Sequence, residues 1–158
     1  MKIIKIILVL LCMTVMFDSY AQQSSEVEKR VNELVQKYDG IEGITSMTVV
    51  KGSGLEMIKM MLKKEFGKSF LKGVNSITFI EYSEAPQATC LALRKDMDVF
   101  LSLLQEYDLT KEKQFSDNSY IRCFASSVES GSLSDFVVAL ESDNSKMFLY
   151  MSGKIVVE

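Results

Sequence analysis

The last third of the chain places the strongest constraint on its fold. Extended, β-branched and aromatic runs at Leu109 to Gln114, Tyr120 to Ser127, Leu133 to Glu141 and Lys146 to Val157 are separated by very short polar segments. The separators are Ser116-Asp117-Asn118, Ser130-Gly131-Ser132 and Asp143-Asn144. Glycine and asparagine tolerate positive φ, and serine and aspartate side chains bond nearby backbone, so linkers this short close hairpins. A four-stranded antiparallel meander is the expectation.

Upstream the apolar period changes from two to about 3.6, which is the signature of amphipathic helices. Ser25 and Glu28 form a capping box ahead of Val27, Val31, Leu34, Val35 and Tyr38, and the helix they predict ends at Asp39-Gly40. Ile44 to Lys51 is β-branched and reads as a strand. Ser53 and Glu56 repeat the capping pattern before Leu55, Ile58, Leu62 and Phe66, with Gly67 and Gly73 at that helix's exit. Val74 to Tyr82 reads as a second strand, with Ile77 and Phe79 on one face and Val74, Ile80 and Tyr82 on the other. Pro86 belongs to the loop that follows, and Leu93, Met97, Phe100, Leu101 and Leu104 predict a third helix over about Ala92 to Tyr107. The order is αβαβα and then the meander. It implies an α+β two-layer sandwich with its helices on one face of the sheet.

The amino terminus sets the address. Lys2 and Lys5 precede an apolar run from Ile6 to Phe17, and Ser19-Tyr20-Ala21 offers small residues where a signal peptidase needs them. The run is shorter than the roughly 20 residues of a bilayer span. Cleavage after Ala21 therefore leaves residues 22–158 as one α+β domain, periplasmic or secreted, with no transmembrane anchor. Leu11 before Cys12, and an apolar run that continues beyond it, argue against acylation of Cys12. Removing residues 1–21 leaves sixteen basic and twenty acidic side chains. That mildly acidic balance and the export argue against nucleic acid as a partner.

The chain has no histidine, which excludes histidine-based triads and histidine zinc sites. Gly67-Lys68-Ser69 resembles the end of a phosphate-binding loop, but Leu62 stands where the loop needs another glycine. No cofactor and no catalytic residue is assigned. Cys90 and Cys123 remain after cleavage in a compartment that permits a disulfide between them, and the competing reading makes each a small buried apolar residue. Between Lys51 and Lys72 stand six lysines against Glu56 and Glu65. Lys59 and Lys63 lie one turn apart beside Met57 and Met60, so the second helix is the candidate docking surface for an acidic partner or an anionic lipid.

Tyr38-Asp39-Gly40-Ile41-Glu42-Gly43-Ile44-Thr45, the helix ending in Leu104-Gln105-Glu106-Tyr107, and Phe148-Leu149-Tyr150-Met151-Ser152-Gly153-Lys154-Ile155 together resemble the exported Bacteroidetes family catalogued as domain of unknown function 4252. The resemblance spans most of the chain after residue 21. It implies an exported protein of that phylum, with extracytoplasmic-function sigma factors in its gene neighbourhood, and it carries over no activity and no catalytic residue. The resulting expectation is a noncatalytic binding or interaction domain of the cell envelope. The alternative is an envelope hydrolase using carboxylates or a serine-lysine pair.

Overall fold

A computed structural model describes residues 26–106, 119–129 and 131–156. Its elements are α1 (Glu26–Tyr38), β1 (Thr45–Val50), α2 (Gly52–Phe66), α3 (Lys68–Lys72), β2 (Val74–Glu81), α4 (Gln87–Leu101), β3 (Gln105–Glu106), β4 (Tyr120–Glu129), β5 (Ser132–Ser142) and β6 (Ser145–Val156). The strands form one antiparallel sheet in the order β1-β2-β6-β5-β4-β3. The α+β class follows directly. The leader at residues 1–21, Ser25 of the first capping box and the strand expected at 109–114 lie outside the described residues. The described part of the meander is thus β4-β5-β6, and the two-residue β3 pairs with the outer side of β4.

The helices cover both faces of the sheet, and this corrects the two-layer expectation. On one side Leu55, Ile58 and Leu62 of α2 and Leu71 of α3 pack on Ile77, Phe79, Cys123, Phe136, Val138, Leu149 and Met151. On the other, Val27, Val31, Leu34 and Tyr38 of α1 and Cys90, Leu93, Met97 and Phe100 of α4 pack on Ile80, Tyr82, Phe124, Val137, Phe148 and Tyr150. Neighbouring strand residues such as Phe79 and Ile80, or Phe148 and Leu149, fall in opposite cores because side chains alternate across a strand. Strands apolar on both faces need two covering layers, and β2 is apolar on both. On the α2 side Phe70 stacks on Phe66 with ring centres 5.4 Å apart and meets Phe136 edge-on at 4.9 Å.

Several local boundaries differ from the sequence reading for identifiable reasons. Val74 joins the core of Ile77 and Phe79 rather than that of Ile80, because an irregularity between Val74 and Ser76 shifts the register by one residue. The second helix starts at Gly52, so Ser53 lies inside its first turn and no side chain caps it. The Glu56 carboxylate instead accepts a bond from Lys59 at 3.1 Å. The third helix of the sequence reading begins at Gln87, directly after Pro86, whose φ of −54° suits a helix entry, and it stops at Leu101. Gln105–Glu106, expected to end that helix, pair instead with Ala125 and Phe124.

Candidate functional site

The docking surface expected on the second helix is partly rebuilt by the structure. Leu55, Ile58 and Leu62 turn α2 onto the sheet, which leaves the opposite face to solvent. Met60 is 71% exposed there, and Lys63 and Lys64 are exposed one turn further on. Met57 is half-buried. Lys59 does not join the free strip, because its side chain is 14% exposed and bound to Glu56. Lys68 and Lys72 of α3 continue the exposed basic surface past Gly67. Among the described residues no ion pair engages Lys63, Lys64, Lys68 or Lys72.

Cys90 and Cys123 are not joined. Both are buried, Cys90 of α4 on one side of the sheet and Cys123 of β4 on the α2 side, so the sheet itself stands between them. Cys123 shares its strand face with Ile121 and Ala125, and the two-residue period of the strand separates it from the face toward which Cys90 packs. The Cys90 thiol faces the carbonyl of Ala85 at 3.4 Å, with the Lys146 ammonium 3.7 Å away.

Sequence reasoning missed the buried polar contacts on the α1/α4 side, since apart from Ser134 and Asp135 the partners that meet lie far apart in the sequence. In β5, Asp135 is 2% exposed and accepts hydrogen bonds from Tyr150 Oη at 2.6 Å and Ser134 Oγ at 2.7 Å. Glu141 is 5% exposed and accepts from Tyr82 Oη at 2.8 Å and Arg94 Nε at 2.5 Å, with a second Arg94 contact through Nη2. At the helix interface Asp96 accepts from Lys37 Nζ at 2.6 Å and Tyr38 Oη at 2.7 Å. These two donors hold the Asp96 carboxyl below its usual range. Beside this group Arg30, Glu33, Leu34, Val99 and Phe100 line a shallow cavity of about 170 Å³ between α1 and α4. Among the described residues no three His, Cys, Asp or Glu side chains gather as metal ligands, and no helix is long and apolar enough to cross a membrane.

The tyrosines give the fold an alkaline limit. Burial, reinforced by Asp96, raises the Tyr38 hydroxyl well above its ordinary range, and burial with the neighbouring Glu141 charge does the same to Tyr82. A folded-state pKa above the unfolded value of about 10 contributes stability that is complete below that pH and is lost as pH rises through the raised values. Alkaline titration followed by phenolate absorbance is therefore expected to ionise these two tyrosines together with loss of the fold. Ionisation of both in a still-folded protein would contradict the assignment.

Comparison of the chain with family models, with curated proteins and with solved structures returns no match.

Proposed function

We propose that this chain is an exported, noncatalytic binding domain of the bacterial cell envelope, periplasmic or secreted, that docks an acidic protein or surface component on the outer face of α2 and α3. The membership suggested by the resemblance to domain of unknown function 4252 is part of the proposal. One observation carries it: Met60 stands 71% exposed on a helix whose opposite face is core, with the exposed ammonium groups of Lys63 and Lys64 next to it. A flexible thioether bordered by cations suits an adaptable interface, with apolar contact at the centre and charge steering the approach. The reading as a hydrolase finds less support, since Asp135 and Glu141 are buried carboxylates already occupied by tyrosine, serine and arginine donors. The leader and the overall acidity support an extracytoplasmic partner other than nucleic acid.

A photo-crosslinking residue placed at Met60 in the native cell tests the reading. It is expected to yield one reproducible adduct, while the same residue at Leu91, exposed on α4, yields none. Reversing Lys63 and Lys64 together to glutamate should lower the adduct at least tenfold and leave thermal stability unchanged. An adduct indifferent to that reversal would remove the docking surface.

A further inference from the structure

The two ends of the sheet are guarded differently. Among the described strands one edge is β3, two residues long, where the Glu106 carboxylate is held by the Arg122 guanidinium at 3.2 Å. The other is β1, which pairs with β2 through six consecutive residues and has no further described strand on its outer side. Its sequence, Thr45-Ser46-Met47-Thr48-Val49-Val50, contains no charge and no proline. Thr48 and Val50 are exposed, Val50 at 46%. Charge, proline, bulges and shortness are the usual devices that keep a sheet edge from accepting another strand, and β1 carries none of them.

We infer that β1 is a strand-addition site that takes an extended acidic segment of a partner protein. This rests on the reading of α2 as a docking surface and specifies how a partner would engage it. The uncharged edge supplies backbone hydrogen bonds to any extended chain, and the selectivity comes from the helix above it. Met47 and Val49 of β1 pack against the core that Leu55, Ile58 and Leu62 of α2 enter, and a Cβ added at Gly54 of α2 would stand 3.5 Å from Val49 Cγ1, so α2 lies over the edge strand. A strand added about 4.8 Å beyond β1 alternates its side chains between the two faces, and every second residue points to the α2 side. Within residues 51–72, Lys63, Lys64, Lys68 and Lys72 are exposed and, among the described residues, outside any ion pair. Acidic side chains at alternate positions would face that basic segment, while apolar ones would meet the side of Thr48 and Val50.

The same charge argues against a second copy of this chain as the occupant. Antiparallel pairing of β1 with its own copy about a two-fold axis normal to the sheet keeps the two α2 helices on the same side. Two segments of like charge would then be juxtaposed, which opposes the pairing. A foreign acidic strand has no such penalty.

The test is amide hydrogen exchange on the full chain with a decapeptide alternating valine and glutamate at millimolar concentration. Exchange at alternate residues of Thr45 to Val50 is expected to slow at least tenfold with this peptide and to stay unchanged with its valine-lysine counterpart. Two further peptides are N-methylated, one at the valine amides and one at the glutamate amides. One must lose the effect and the other keep it, since only one set of amides faces β1. Unprotected β1 amides, or equal behaviour of the two methylated peptides, would overturn strand addition. Loss of the Met60 crosslink on reversing Lys63 and Lys64 would still leave the docking reading standing. Light scattering should show a monomer at high concentration, and a dimer with protected β1 amides would overturn the choice of occupant.

Discussion

Gly73→Ala is expected to destabilise the fold by more than about 3 kcal/mol, beyond the usual penalty for one added methyl group in a packed core. A Cβ at residue 73 would stand 1.6 Å from the carbonyl oxygen of Lys154, which is backbone and cannot swing aside. The φ of Gly73 is −85°, comfortable for alanine, so the cost is contact alone. Gly153 faces it from β6, where an added Cβ would lie 2.1 Å from the Gly73 carbonyl oxygen, and its φ is 146°. The two glycines let β2 and β6 approach where the pairing passes from Val74↔Gly153 to Ser76↔Ser152. Urea unfolding of Gly73→Ala, Gly153→Ala and Gly40→Ala checks this. Gly40 has positive φ and no neighbour within 4 Å of an added Cβ, so its substitution should cost about 1–2 kcal/mol for the left-handed backbone alone. If Gly73→Ala costs no more than Gly40→Ala, the close approach does not govern the β2–β6 junction.

These glycines show what kind of information the sequence carries. Gly73 and Gly153 are legible as glycines at segment ends, but their mutual contact depends on which strands become neighbours. Nothing local in β2 says that it will pair with β6. Element types were readable because period and turn chemistry are local: α1, β1, β2 and the β4-β5-β6 hairpins stand close to the expected segments. The layer count was not, although the two apolar faces of Ile77/Phe79 and Ile80/Tyr82 had been seen. A strand apolar on both sides already requires cover on both, and assigning all three expected helices to one face left the other uncovered. The same gap left the choice between a Cys90–Cys123 disulfide and two buried apolar cysteines open, since opposite faces look no different from adjacent ones when strand order is unknown. At the docking surface, the six lysines were visible, yet Lys59 was withdrawn by Glu56, three residues before it on the same helix. That pairing is local and was within reach of the sequence through the i, i+3 rule.

Arg94→Leu is the second large effect, at about 2–3 kcal/mol. Arg94 of α4 grips Glu141 of β5 through two guanidinium nitrogens, and Tyr82, immediately after β2, donates to the same carboxylate. The group thus ties a helix to two parts of the sheet. Burial works against the Arg94 charge, but the hydrogen bond and attraction of Glu141 outweigh it and raise the guanidinium pKa. The partners differ in access to water, with Arg94 38% exposed and Glu141 6% exposed. Removing the arginine strands a buried carboxylate, a costly outcome that partial exposure of the guanidinium tempers only on the arginine side. Arg94→Lys should cost less, about 1 kcal/mol, because it keeps the charge and loses the bidentate fork. Adding Glu141→Leu to Arg94→Leu should cost at least about 1 kcal/mol less than Glu141→Leu costs alone. Additive costs would mean that Arg94 contributes through the packing of its stem, and that Glu141 is sustained by Tyr82 without it.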